Sequence, residues 1–193
     1  MEILGKILGN PGRVKIMRLF LLNRGKRFMA KDVIKRTRAN PGIVRSELRL
    51  LASVNFIKKT NTEWSYNSFF KYGKEFDDLL VRSDTVNTQT ILNHFKKVGR
   101  VKLVVISGIF IKNRDSRVDL LIVGDKMKRG MIEEGVRKIE AEIGAELVYA
   151  IFDTKEFIYR LSMYDKLVRD ILDYPHEVIL QSKELSTQTL KKS

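Results

Sequence analysis

Two Asn-Pro pairs thirty residues apart, Asn10-Pro11 and Asn40-Pro41, constrain this chain more than any other feature. Asparagine caps the free N–H groups of a helix start, and proline at the first helical position gives up an N–H that has no partner there anyway. Each pair is followed by apolar residues at helical spacing. Val14, Ile16, Met17, Phe20 and Leu21 follow the first, up to Asn23-Arg24-Gly25; Ile43, Val44, Leu48, Leu50 and Leu51 follow the second, to about residue 52. Between them the spacing predicts a shorter helix over 30–36, with Val33 and Ile34 inward, and a turn over 37–40. A short strand is predicted over 54–59, a turn over 60–62 and a returning strand over 63–67. Three helices and a hairpin in this space predict a winged helix over about residues 8–68.

Charge says where this region acts. The net charge is +14, and it is concentrated: residues 1–100 carry 21 Lys and Arg against 8 Asp and Glu, whereas residues 101–193 carry 16 against 15. The first 60 residues hold 15 basic and 3 acidic side chains. Such a field draws in a polyanion, and a duplex gains affinity as neutralised phosphates release counterions. The expected partner is double-stranded DNA. The chain has no cysteine, which excludes disulfides, thiol catalysis and cysteine-ligated zinc. Its two histidines, His94 and His176, are read as structural or surface residues, so no metal is expected. No run approaches the roughly 18 apolar residues of a membrane span, and no signal peptide is read at the start. A cytoplasmic protein without membrane contact is expected.

A helix-turn-helix lays its second helix in the major groove. Here that helix begins at Pro41, with Ile43, Leu48 and Leu51 expected to anchor it. Asn40, Gly42, Arg45, Ser46 and Arg49 then point outward. Arg45 is the candidate base reader, because arginine bonds guanine with two nitrogens. Arg49, four residues on, shares its face and is assigned to phosphate. Lys31, Lys35, Arg36 and Arg38 flank the groove, and the wing offers Lys58, Lys59 and Asn61, residues that position more than they specify. The stretch VKIMRLFLLNRGKRFMAKDVIKRTRANPGIVRSELRLLASVNFIKK resembles the winged helix-turn-helix of prokaryotic transcriptional regulators. That resemblance implies sequence-specific duplex binding, with a homodimer on a palindromic site.

Residues 69–99 are read as a helical linker or dimerisation segment, with helices over about 69–81 and 87–98. The texture then changes to strands alternating with helices: strands over 101–106, 117–123, 145–152 and 177–180, a polar loop over 108–116, and helices over 126–143, 155–163 and 165–172. This predicts a second domain over 100–181 with a mixed sheet, followed by a polar, disordered tail over 182–193. The fold class expected is therefore a two-domain α+β and α/β chain.

VKLVVISGIFIKNRDSRVDLLIVGD resembles the core of the minimal nucleotidyltransferase fold, and residues 145–180 resemble its closing elements. The family carries Gly-Ser after its first strand and Asp-x-Asp on the next, where two aspartates on one face hold Mg²⁺ against nucleotide phosphates. This chain departs from the pattern. Gly108 is followed by Ile109, and the aspartate pair becomes Arg117 and Asp119, which are expected to share a face and to pair with each other. Glu146 is the one acid early in the third strand. The degenerate site Gly108, Arg117 and Asp119 implies lost transfer chemistry and no cofactor, with nucleotide or Mg²⁺ binding as a residual reading. An active nucleotidyltransferase and an antitoxin-like protein-interaction module are the alternatives. The aromatics Trp64, Tyr66, Phe69, Phe70 and Tyr72 read as packing residues, or as a stacking platform for single strands.

Overall fold

A computed structural model describes residues 3–82, 87–113 and 115–185. The chain is α+β, with a three-stranded and a four-stranded sheet, and divides into two compact units. Unit 1 comprises residues 1–85 and 137–146; unit 2 comprises residues 86–136 and 147–193. Segment 69–99 is thus shared between them, and ten residues from the second half of the sequence belong with the first unit.

In unit 1, α1 (Ile3–Ile7) precedes α2 (Pro11–Leu22), β1 (Arg27–Met29), α3 (Ala30–Thr37), α4 (Pro41–Ser53), β2 (Ile57–Thr60), β3 (Glu63–Tyr66) and α5 (Gly73–Asp77). A wide turn, Asp78–Arg82, follows. Both Asn-Pro pairs cap as read: the Oδ1 atoms of Asn10 and Asn40 each accept the N–H two residues on, from Gly12 and Gly42, at 2.8 Å. The antiparallel sheet has the order β1-β3-β2. Strand β1 went unread in the sequence, since it is three residues with only Phe28 buried. The core joins Val14, Phe20, Phe28, Val33, Val44, Leu48, Leu51, Phe56 and Ile57. Phe56 meets Tyr66 and Phe70 edge-on, at ring separations of 5.5 and 5.2 Å.

Helix α2 is buried on most sides, so the buried Arg18 within it and Asn23 at its C-cap need partners. Arg18 donates from Nε to the Leu80 carbonyl (2.8 Å) and from Nη1 to the Glu142 carbonyl (3.0 Å). Asn23 donates to the carbonyls of Leu19 (2.8 Å) and Gly144 (2.9 Å). Glu142 lies in the last turn of α7 (Arg129–Ile143) and Gly144 just beyond it. Arg18 thus brings a cation to a carbonyl in the last turn of α7, the negative end of the helix dipole. Gly144 adopts φ +89°, and a Cβ there would fall 2.7 Å from the Leu19 nitrogen.

Unit 2 contains α6 (Thr88–Phe95), β4 (Arg100–Ile106), β5 (Leu120–Asp125), the start of α7, β6 (Tyr149–Asp153), α8 (Thr154–Ser162), α9 (Lys166–Asp173) and β7 (Glu177–Gln181). Its sheet runs β6-β5-β4-β7, with β5 and β6 parallel and the other pairs antiparallel. Leu103, Val105, Leu121 and Val123 pack against Phe157 and Leu161 of α8 and Val168 and Ile171 of α9. Val104, Ile106, Leu120 and Ile122, on the opposite face, are buried too.

Several expected boundaries move. Residues 54–56 form a turn with Asn55 at φ +61°, so the hairpin starts at Ile57. Helix over 69–81 shrinks to α5 and its turn, because 67–72 form turns around the inward Phe70. The polar loop contains a short helical turn, Gly108–Ile111, with Phe110 buried. Strand β5 starts at Leu120, three residues later than read, and β6 at Tyr149. The polar tail begins later as well: the Ser182 N–H donates to the Lys102 carbonyl at 2.7 Å, and Leu185 is fully buried. The rest of the expected tail, 186–193, lies outside the described residues.

Candidate nucleic-acid interface

Helix α4 is fixed from behind by apolar and charged contacts. Val44, Leu48 and Leu51 face the core. Ile43, expected as an anchor, is exposed instead, since Val44 one position on takes the inward direction. The fourth inward residue is Glu47, 5% exposed. Arg13 donates from Nε to its Oε2 (2.7 Å) and from Nη2 to its Oε1 (3.2 Å), and Asn10 Nδ2 reaches Oε1 at 3.2 Å. Asn10 therefore caps α2 with its oxygen and holds α4 with its nitrogen. Nothing in the sequence flags Glu47, because its partners lie more than thirty positions earlier.

The outward face of α4 carries Gly42, Arg45, Ser46 and Arg49, all exposed, with Asn40 at its start. Asn40 is exposed, with its Oδ1 engaged in the cap. Ser46 turns its hydroxyl back to the Ile43 carbonyl (2.9 Å), and Arg49 Nε donates to the Arg45 carbonyl at 3.3 Å. Lys31 and Lys35 are exposed one turn apart on α3, and the connection to α4 is only Arg38-Ala39-Asn40. Arg38 closes α3 in the left-handed region, φ +52°, with its N–H on the Ile34 carbonyl at 2.9 Å. Arg36, read with these cations, is half-buried and paired with Glu146 at 2.9 Å.

Asn61 sits at the hairpin tip at φ +55°, a conformation asparagine tolerates well. The two hairpin lysines diverge. Residues directly opposite on neighbouring strands share a sheet face. Lys59 lies in the row Phe28–Trp64–Lys59, on the core and helix side, with its Nζ 5.4 Å from the Trp64 ring centre. Lys58 lies in the row Arg27–Ser65–Lys58, on the outer face, with its Nζ 5.1 Å from the Phe69 ring.

In unit 2 the resemblance pointed to Gly108, Arg117 and Asp119. Gly108 and Asp119 do meet. Gly108 takes φ +56°, and a Cβ on it would lie 2.1 Å from Asp119 Oδ1. That oxygen accepts the Ile109 N–H at 2.8 Å, and Oδ2 accepts the Val148 N–H at 2.9 Å. The Asp119 backbone adds the Ser107 N–H on its carbonyl (2.9 Å) and its own N–H on Val148 (2.7 Å). One residue thus ties the ends of β4 and β5 to the approach to β6. Arg117 does not pair with Asp119: it precedes β5, so the two-apart rule for strands fails, and its Nε meets Asp170 at 2.9 Å. Glu146 belongs to unit 1 with Arg36. A divalent cation does not fit this donor set. Each oxygen of the one aspartate already accepts a backbone amide, and Arg117 stands where the expected motif would supply a second carboxylate. Among the described residues, no three His, Cys, Asp or Glu side chains gather into a possible metal site.

Neither a family model, nor a curated protein, nor a solved structure matches this chain. No described helix is long and apolar enough to cross a membrane.

Proposed function

We propose that the chain is a sequence-specific double-stranded DNA-binding regulator whose unit 1 is a winged helix-turn-helix. The observation that carries this reading is α4, locked from behind by Glu47, Val44, Leu48 and Leu51 while Arg45 and Arg49 stand exposed on its free face. A helix already fixed by its core contacts adds little backbone ordering on binding, and its exposed arginines suit a major groove. Lys31 and Lys35 on α3 and Asn61 and Lys59 on the hairpin surround it with backbone contacts. Unit 2 fits a nucleotidyltransferase-like sheet turned to a scaffold role, because Asp119 is spent on backbone amides. Two copies on a palindrome complete the proposal.

The test is fluorescence anisotropy of the full chain on the duplex upstream of its own coding sequence, titrated at several salt concentrations against unrelated duplex. Preference for one sequence with a steep salt slope supports the regulator. Equal binding to every duplex reduces it to a non-specific binder, and no binding at low salt removes it.

A further inference from the structure

The five aromatics singled out in the sequence separate into two groups. Trp64, Tyr66 and Phe70 pack against the unit 1 core. Phe69 is 87% exposed and Tyr72 is 50% exposed. They flank Phe70 on the turns leaving β3, and Phe70 anchors that segment against Phe56, Tyr72 and Phe76. Phe69 gains almost nothing from burial in this fold, and its ring stands open to a ligand. Each exposed ring carries a cation: Lys58 over Phe69 at 5.1 Å and Lys71 over Tyr72 at 5.2 Å. Lys58 also shares the outer sheet face with Arg27, on either side of Ser65. Two strand spacings separate them by roughly 10 Å. Glu63, half-buried, is the acid on that face, in the adjoining row.

An exposed ring beside lysine and arginine suits an unpaired nucleobase, which stacks on the ring while a cation meets its phosphate. A paired duplex hides its base faces and cannot use an exposed ring this way. A second copy of the chain would bring the same cations to the same patch, so the charge favours a polyanion. We propose that Phe69, with Lys58 and Arg27, forms a single-strand platform on the outer face of the small sheet, distinct from the α4 surface, with Tyr72 and Lys71 on the turn that follows as a second ring and cation. It would take a single-stranded extension or opened segment of nucleic acid. The inference shares with the proposed function only its premise of nucleic-acid binding.

The experiment compares full-length protein on a blunt duplex, on that duplex with a ten-nucleotide single-stranded extension, and on oligo(dT), by anisotropy. Wild type, Phe69→Ala, Tyr72→Ala and Arg45→Ala are titrated, and each is weighed by sedimentation velocity. The extension should tighten binding at least fivefold, and Phe69→Ala should remove most of that gain while leaving blunt-duplex affinity intact; a stacked base contributes about five- to a hundredfold. Arg45→Ala should do the reverse. Oligo(dT) binding without duplex binding would sink the regulator but keep the platform. An extension that adds nothing, or a Phe69→Ala effect confined to self-association, overturns the platform.

Discussion

Arg13 holds Glu47 with two nitrogens, at 2.7 and 3.2 Å, across the start of α2 and the middle of α4. Glu47 is nearly buried while Arg13 keeps about a third of its side chain exposed. A buried carboxylate left without its cation is expensive, so Arg13→Ala should cost about 3 kcal/mol by urea denaturation. Replacing both residues, Arg13→Met with Glu47→Leu, should recover most of that loss, because no charge is then stranded. A double variant as unstable as Arg13→Ala would show that the pair contributes mainly through shape. DNA affinity of the recovered double variant would report whether the ion pair also sets the angle of α4.

The legible part of unit 1 was its local chemistry. Asn10-Pro11 and Asn40-Pro41 cap through an atom two residues away, so sequence alone exposes them. Glu47 was illegible for the opposite reason: an acid between Ser46 and Leu48 on a helix is ordinarily solvated, and only Asn10 and Arg13 bring it inside. Strand β1 is similar, since Arg27, Phe28 and Met29 become a strand only by pairing with Ser65, Trp64 and Glu63. In unit 2 the alternation of strands and helices was visible as runs of apolar residues. The site geometry was not, because a shift of three residues in the start of β5 takes Arg117 off the strand and gives it to Asp170.

Asp119 and Gly108 make the enzyme reading testable as a matter of stability. Asp119→Ala removes the acceptor of two backbone amides, and this should cost about 2–3 kcal/mol. Gly108→Ala should destabilise comparably, since its Cβ would run into the Asp119 carboxylate. Thermal melts check both. Preserved stability together with loss of Mg²⁺-dependent nucleotide transfer in Asp119→Ala would reverse the assignment and restore the enzyme.

The acid limb of stability should trace to Asp125. The Lys102 ammonium, almost buried and 2.7 Å away, hydrogen-bonds its carboxylate and holds its pKa down to about 2; Glu184 is the second partner of the same lysine. In the unfolded chain the carboxyl titrates near its ordinary value of 3.8. Folding stability from this group is therefore complete above that value and is lost as pH falls through it toward 2. Lys102 itself is raised above 10.5 by the same bonds, so its share is complete below that value and fades at higher pH. Urea midpoints followed from pH 6 to pH 2 should fall less steeply in Asp125→Asn than in wild type. Parallel curves would assign the acid limb to other carboxylates, with Asp165 next, since the Val168 N–H that it caps lowers its pKa as well.

Lys58 and Lys59 are neighbours in sequence yet lie on opposite faces of the sheet, which turns the proposed interface into a directional prediction. Lys59 shares the helix side with α4, so it can meet the phosphates of the same duplex; Lys58 sits over Phe69 on the other side. Lys59→Ala should weaken every blunt duplex alike and reduce the salt slope by about 0.9, the share of one phosphate. Lys58→Ala should leave blunt-duplex binding unchanged. Arg45→Ala should cost about 1–3 kcal/mol on the preferred sequence and relax a single base position, as the loss of a two-nitrogen contact to guanine does. Salt-dependent anisotropy on a panel of single-base variants separates the three. Equal losses from Lys58→Ala and Lys59→Ala would mean that the duplex approaches the hairpin edge-on, across both faces, and that α4 does not lie in the groove as proposed.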